Sequence, residues 1–147
     1  MVPEANYPVS FYFELSFEGE DAAFHEVTGI SKELGLEEVP SGGENRFNYR
    51  LPTVAKSQNL VLKRALVPAG SKLIDWCSET IDGGLDNGIE TKDVTLSLLN
   101  AKGDAQVIWT FHNAYPVKYS VSDLKSDENR LAIETIELAY TYFNVRQ

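Results

Sequence analysis

The first regular pattern along the chain is a strict alternation of apolar and polar side chains between Val9 and Phe17. Alternation of this kind predicts a strand with one buried face. Burial of each large apolar side chain is worth roughly 1.5–3 kcal/mol before entropy, so this strand is expected to anchor the core. The side chains on the predicted buried face are Val9, Phe11, Phe13, Leu15 and Phe17.

Two more core strands are predicted in the first half of the chain. Phe24–Ile30 follows a polar break at Glu18–Asp21 and ends near Gly29. Asn59–Leu66 is the second, and we expect Leu60, Leu62 and Leu66 to point inward because apolar residues recur along it.

The second half of the chain predicts a hairpin and a long final strand. The first strand of the hairpin is Val94–Leu99. A turn at Asn100–Asp104, whose composition is typical of tight turns, joins it to a return strand. The dipeptide Tyr115–Pro116 is expected to break the return strand, and Val117–Val121 to resume it. Leu131–Phe143 is the longest extended run.

The apolar face of this last run changes near Glu134 and Thr135. The change predicts either a β-bulge or a strand that is buried on different faces at its two ends. The second alternative suits a strand that contacts a neighbouring subunit.

One helix is predicted after Ser71, which is a good N-cap residue. Leu73, Trp76, Cys77 and Ile81 recur at helical spacing, and the pair Gly83–Gly84 is typical of a helix end.

A polar hairpin is predicted between the second and third strands. Ser31–Val39 and Arg46–Leu51 form its arms, the turn at Gly42–Gly43 adopts positive φ cheaply, and Pro52 closes the return arm because it lacks a backbone donor. An isolated two-stranded hairpin with few apolar residues is marginal. We therefore expect the hairpin to be stabilised by packing against a partner chain.

Together these elements predict a mainly β fold, a β-sandwich or partly closed barrel with one flanking α-helix. The 147 residues are expected to form a single domain, residues 1–147. The hydrophobic share of 43% and the charged share of 24% are ordinary for a globular protein of this class.

The net charge of −9 disfavours nucleic acids and anionic membranes as partners, since both would require a basic surface. No apolar run approaches the roughly 20 residues of a membrane span, and the N-terminus has no secretory pattern. The single cysteine, Cys77, excludes an internal disulfide and fits a reducing compartment, so we expect synthesis in the cytoplasm.

Candidate chemistry is sparse, and we expect no catalytic residue, cofactor or metal. His25 and His112 lie in predicted strands beside aromatic residues, and a thiol–imidazole pair with Cys77 would need an orienting group that the sequence does not indicate. No known catalytic motif is present. A loop with four potential oxygen ligands does not have calcium-loop spacing, and solvated loop residues explain it better: Asp82, Asp86, Asn87 and Glu90.

A set of short motifs resembles the tail-tube proteins of contractile phages and of phage-derived injection systems. The motifs occur in order over nearly the whole chain: FHEVTGI (24–30), GGENRF (42–47), LP (51–52), NLVLKRAL (59–66), VTLSLLN (94–100) and WTFHNAYPVKYS (109–120). The resemblance implies hexameric rings in which hairpins from each subunit join one inner β-barrel, and stacking of the rings into a rigid tube.

The same resemblance implies partners: copies of the chain, a surrounding sheath, baseplate or initiator and cap proteins, and cargo or a tape-measure protein in the lumen. It leaves open whether the chain builds the main tube or the initiator layer near the baseplate. A different class, a monomeric β-barrel that binds a small apolar ligand, would need an apolar interior cavity, and a small hydrolase lacks a nucleophile–base motif.

The charged residues of the hairpin suggest how copies would recognise each other. Arg46 and Arg64 are either solvated, as surface charges often are, or paired with carboxylates on an adjacent copy, where such pairs set register. The resemblance favours pairing. The candidate interface residues are Glu33, Glu37, Glu38, Gly42, Gly43, Glu44, Asn45, Arg46 and Arg64.

Overall fold

An eight-stranded antiparallel sheet forms the body of the protein. The structure, a computed structural model, describes residues 11–40, 48–66, 70–84, 88–123 and 132–147. Its elements in chain order are β1 (Phe11–Phe17), β2 (Glu20–Phe24), β3 (Glu26–Thr28), β4 (Glu33–Pro40), β5 (Asn48–Lys56), β6 (Leu60–Ala65), α1 (Lys72–Gly83), β7 (Lys92–Asn100), β8 (Ala105–Val121), β9 (Ile133–Ala139) and β10 (Tyr142–Arg146).

The strands of the sheet follow the order β2-β1-β7-β8-β9-β6-β3, and β10 also pairs with β8. The two ends of this order, β2 and β3, do not pair, so the sheet is not closed into a barrel. It curls nonetheless, since β2 approaches β6 and the His25 amide donates to the Lys63 carbonyl at 2.9 Å. The predicted mainly β fold with one flanking helix is confirmed.

The core lies on the inner face of the curled sheet and is closed by α1. Leu15 and Phe17 of β1 are buried as the alternation predicts, whereas Phe11 is 43% exposed. Val9 lies outside the described residues. The fully buried side chains come from distant parts of the chain, and they include Phe24, Leu62, Leu96, Phe111 and Ile136.

The segment after β1 forms two strands where the pattern predicts one. Residues 18 and 19 make a two-residue turn with positive φ at both positions, and this turn starts β2 at Glu20. The polar residues Glu20 and Asp21 therefore belong to a strand and not to a break. The chain then crosses at His25 from the edge of β1 to the edge of β6.

The predicted break at Tyr115–Pro116 is wrong, because β8 continues through it to Val121. Extra residues bulge out of β8 near Asn113, whose φ is 57°, and near Val117. A bulge is one of the few places where a strand tolerates proline, since ladder hydrogen bonds are already interrupted there. The bulges let β8 leave β7 and continue beside β9.

The predicted run Leu131–Phe143 is two strands, β9 and β10, separated at Tyr140–Thr141. Of the two alternatives for the change near Glu134, the β-bulge is absent from β9, whose register with β6 is unbroken from Ile133 to Leu138. The apparent change of face arises because a charged residue, Glu134, points inward with Ile136 and Leu138. Leu131 lies outside the described residues.

Helix α1 begins and ends where the sequence predicts. The Ser71 hydroxyl accepts a hydrogen bond from the Ile74 amide at 3.2 Å, and Gly84 caps the other end with a φ of 55°. Leu73, Trp76 and Cys77 are buried, and the Trp76 ring stacks on Phe17 with centroids 4.7 Å apart. Ile81 differs from the expectation, since it is 40% exposed.

Candidate subunit interface

Strands β4 and β5 form a two-stranded sheet of their own. Their antiparallel register runs from Glu33 opposite Lys56 to Pro40 opposite Asn48. Within the described residues, no strand of the eight-stranded sheet pairs with either of them. The backbone donors and acceptors on the outer edges of this hairpin are therefore available to another chain.

The return arm of the hairpin is longer than the sequence predicts. β5 continues through Pro52 to Lys56, so Pro52 does not close it. The register shifts between Leu34 and Leu36, where β5 contains one extra residue. Proline has no backbone N–H to donate to a neighbouring strand. The bulge beside Pro52 already interrupts the regular hydrogen bonds, so the strand tolerates the proline.

Three leucines of the hairpin are exposed in the single subunit. Leu34 and Leu36 are 57% and 56% exposed, and they share one face of β4 because side chains alternate along a strand. Leu51 is 48% exposed and lies opposite Glu37, on the other face. Exposed apolar side chains on both faces are typical of a segment that is covered in an assembly.

The acidic residues expected at the interface lie on this hairpin. Glu33, Glu37 and Glu38 are all exposed, and Glu38 faces Arg50 at 3.8 Å across the two strands. Both side chains of this pair are more than half exposed, so the pair contributes little to stability. The turn residues Gly42, Gly43, Glu44, Asn45 and Arg46 lie outside the described residues.

Arg64 lies inside the subunit, away from the hairpin. It points to the core side because it continues the inward alternation of Leu60 and Leu62 along β6. Its Nε donates to Glu134 Oε1 at 2.6 Å, and its guanidinium lies 5.0 Å from the centre of the Phe24 ring. Its ion-pair partner in the subunit is thus a carboxylate of the same chain, and its Nη2 has no hydrogen-bond partner among the described residues.

Glu134 is a residue that the sequence interpretation missed. It is 2% exposed, and its second oxygen accepts a hydrogen bond from the Tyr119 hydroxyl at 2.7 Å. Burial, with this hydrogen bond as the second cause, raises the pKa of Tyr119 to about 12. The sequence feature that could have indicated this pair is two opposite charges at inward positions of two strands, and in the structure Arg64 lies opposite Glu134.

The residues considered for catalysis do not come together in the described part of the chain. Cys77 is buried, and burial raises its thiol pKa to about 12, which disfavours the reactive thiolate. His112 Nδ1 lies 3.2 Å from Asp93 and its Nε2 lies 3.0 Å from the Asn144 amide, so both ring nitrogens have partners. His25 is exposed at the β2–β3 crossing.

No group of metal-binding side chains occurs among the described residues. Of the loop considered for calcium, Asp82 and Glu90 are exposed, and Asp86 and Asn87 lie outside the described residues. A groove of about 490 Å³ lies beside β6, β8 and β9, and its lining includes Lys63, Ser120 and Thr135. Its lining also includes the apolar residues Val121 and Ile133, but it is open to solvent and not an enclosed ligand cavity.

In the part of the chain that the structure describes, α1 falls short of the length and apolarity that a membrane-crossing helix requires, and no other helix occurs there.

Comparison with known proteins places these features in a family. The family model described as "T4-like virus tail tube protein gp19" matches residues 9–144. Comparison with curated proteins gives no match.

Solved structures of injection particles are similar to this chain. A chain of the anti-feeding prophage baseplate is 27% identical, with a TM-score of 0.72, over 92% of this chain and 91% of that one. A chain of an extracellular contractile injection system, in its sheath–tube complex, is 26% identical, with a TM-score of 0.75, over 91% and 87%. Hcp1 from Flavobacterium johnsoniae, at 18% identity and a TM-score of 0.58 over 91% and 94%, shares the fold.

The family match spans residues 9–144, which is nearly the whole chain. The resemblance seen in the sequence is confirmed, and a structural role in a tail tube follows from it. The chain belongs to the T4-like virus tail tube protein gp19 family.

Proposed function

We propose that this chain is a subunit of the inner tube of a contractile phage tail or of a phage tail-like injection system. Copies form hexameric rings, and the rings stack into a rigid conduit that a surrounding sheath drives through a target envelope. The observation that carries the proposal is the β4–β5 hairpin, which is separate from the main sheet and exposes leucines on both faces.

The hairpin joins neighbouring copies into one inner β-barrel. Its free edges supply backbone donors and acceptors, each hydrogen bond being worth about 1 kcal/mol net. Leu34 and Leu36 are a little over half exposed, so covering what remains adds roughly 1–2 kcal/mol for each side chain. The contact is head-to-tail, so it closes into a ring when the rotation between copies divides a full turn.

Charged residues set the register of this contact. Glu33, Glu37 and Glu38 are exposed on the hairpin arm and face cations of the next copy, Arg46 among them. The hairpin turn, residues 42–46, completes the interface. Interfacial charges of this kind exclude wrong pairings more than they add affinity.

The partners are the sheath, the baseplate or initiator, the terminating cap and a cargo or tape-measure protein in the lumen. The similar chains come from a baseplate and from a sheath–tube complex, at 27% and 26% identity, so similarity supports both the initiator layer and the main tube. We favour the main tube. The function is mechanical and not enzymatic, and the chain is made in the cytoplasm before it enters the particle.

Paired substitutions in the hairpin test this proposal. Leu34→Asn with Leu36→Asn removes the exposed apolar face of β4, and we expect assembly to be lost while the subunit keeps its fold. The matched control is Ile81→Asn with Ile89→Asn, two exposed isoleucines outside the hairpin. Sedimentation velocity over a concentration series measures assembly, and thermal unfolding measures the fold. Equal assembly of the two double variants would overturn the proposed role of the hairpin.

A further inference from the structure

The two chain segments at the root of the hairpin touch each other. Gly29 has a φ of 94°, and a Cβ atom built on it would lie 1.8 Å from the backbone oxygen of Asn59. Only glycine permits this crossing, because the φ value is strained for other residues and the space is occupied by backbone. The outgoing and returning segments are therefore fixed against each other.

A tyrosine of the main sheet holds this crossing. The Tyr140 hydroxyl, at the end of β9, lies 3.0 Å from the Gly29 carbonyl oxygen and 3.5 Å from that of Ser31. Its ring packs edge-on against the buried Phe111 ring with centroids 4.8 Å apart. The hydroxyl thus connects the core to the point where the hairpin leaves the body.

Further contacts hold both sides of the root to β9 and β10. The Asn59 side-chain amide donates to Glu137 Oε2 at 2.8 Å. The Gln58 backbone N–H donates to Ser31 Oγ at 3.4 Å, which joins the two root segments to each other. The Lys32 ammonium lies 4.5 Å from the centre of the Phe143 ring. The contacts of Asn59 and Lys32 restrict how the root moves relative to the sheet.

We propose that Tyr140 and Gly29 form a latch that fixes the orientation of the hairpin in the unassembled subunit. The latch presents the hairpin in the orientation in which a second copy receives it. Ordering a segment before association removes that entropy cost from the binding step, so the latch favours assembly without contacting the partner. The effect of the latch on assembly rests on the proposed function. The fixed orientation of the hairpin does not depend on that function.

Tyr140 is a positioning residue in this account, because its hydroxyl acts through the hairpin root. Tyr140→Phe removes the hydrogen bonds to the root and keeps the ring that packs on Phe111. Tyr119→Phe is the matched control. It also removes one tyrosine hydroxyl bond, to Glu134, but at a site within the body.

Distance measurements between two spin labels test the latch in the full chain. Labels at Glu37→Cys on β4 and Lys102→Cys in the β7–β8 turn report the hairpin orientation, with Cys77 replaced by alanine. We expect one narrow distance distribution, a broader one with Tyr140→Phe, and the original width with Tyr119→Phe. A broad distribution in the chain with native tyrosines, or equal widths for the two tyrosine variants, would overturn the latch.

Assembly of the same variants separates the two proposals. We expect Tyr140→Phe to raise the concentration needed for assembly about fivefold, which corresponds to the loss of one hydrogen bond. If no variant assembles while the distances behave as expected, the latch stands and the tube proposal fails. If assembly proceeds and is unchanged by Tyr140→Phe, the contribution of the latch to assembly is overturned.

Discussion

Arg64 and Glu134 form an ion pair inside the subunit, and it is the most consequential pairing at the scale of single residues. Arg64 is 8% exposed and Glu134 is 2% exposed. Removing one member of such a pair leaves a buried charge without compensation. The pair therefore specifies that β6 and β9 meet in one register, with both charges on the core side.

Glu134→Gln tests this pair. We expect the free energy of unfolding to fall by about 3 kcal/mol, because the Arg64 charge stays buried. The control is Glu26→Gln, which breaks the exposed pair with Lys63 at 3.5 Å and should cost less than about 1 kcal/mol. Urea denaturation of the unassembled subunit measures both. Similar losses in the two variants would contradict a special role for the buried pair.

The buried thiol of Cys77 predicts lability in alkali. Burial, followed by the charge of Glu134, raises its pKa from 9.0 to about 12. The unfolded thiol ionises first, so the stabilisation is complete below pH 9 and is lost as the pH rises towards 12. The free energy of unfolding should fall by up to about 1.4 kcal/mol per pH unit from this group.

Cys77→Ala provides the comparison for the alkaline effect. Between pH 9 and 10 the variant should lose stability less steeply than the native chain, as measured by denaturant unfolding at each pH. Tyr119, whose pKa is raised from 10.0 to about 12, adds its own loss mainly at higher pH. If the free energy of unfolding fell equally steeply in both proteins between pH 9 and 10, the thiol would not contribute.

At the scale of elements, local chemistry predicted the ends of the helix and the turn between β7 and β8. Ser71 caps α1, and the Asn100 side chain accepts hydrogen bonds from the Lys102 and Asp104 amides in the predicted turn. These features depend on neighbouring residues alone, so a single sequence contains them. The partners of β8 are set by the whole sheet, which is why the passage through Pro116 was not predictable.

The helix cap gives a prediction at this scale. Ser71→Ala removes the hydroxyl that accepts from the Ile74 amide, and we expect a loss of about 1 kcal/mol in the free energy of unfolding. Ser78→Ala, on the exposed side of the same helix, should be neutral or slightly stabilising because alanine is the better helix former. Chemical denaturation distinguishes them. If Ser71→Ala were as harmless as Ser78→Ala, the cap would not stabilise the fold.

The interface residues illustrate the limit of reasoning from one sequence. The sequence predicted hairpin arms at Ser31–Val39 and Arg46–Leu51, and the structure places the strands at Glu33–Pro40 and Asn48–Lys56. Arg64 looked like a surface charge because its pairing with Glu134 spans 70 positions of sequence. The buried face of a strand is predicted from its apolar positions, and inward charges interrupt that pattern. The predicted positions of this pair and the predicted buried face of β9 were therefore wrong.

At the scale of the whole molecule, the subunit has a packed body and one segment that forms a separate small sheet. The body buries a core between the curled sheet and α1, whereas the hairpin adds a second small sheet with exposed leucines. A soluble monomer gains nothing from this arrangement, since exposed edges invite association. A second copy supplies the strand partners and the apolar contacts that the hairpin lacks, and the contacts within one chain do not include them.

Cryo-electron microscopy of the purified chain over a concentration series tests the central claim most directly. We expect six-membered rings and stacked tubes of constant width, in which the density for β4 and β5 continues into the sheet of a neighbouring subunit. Isolated subunits at every concentration, or tubes whose hairpins contact no neighbouring copy, would contradict the account.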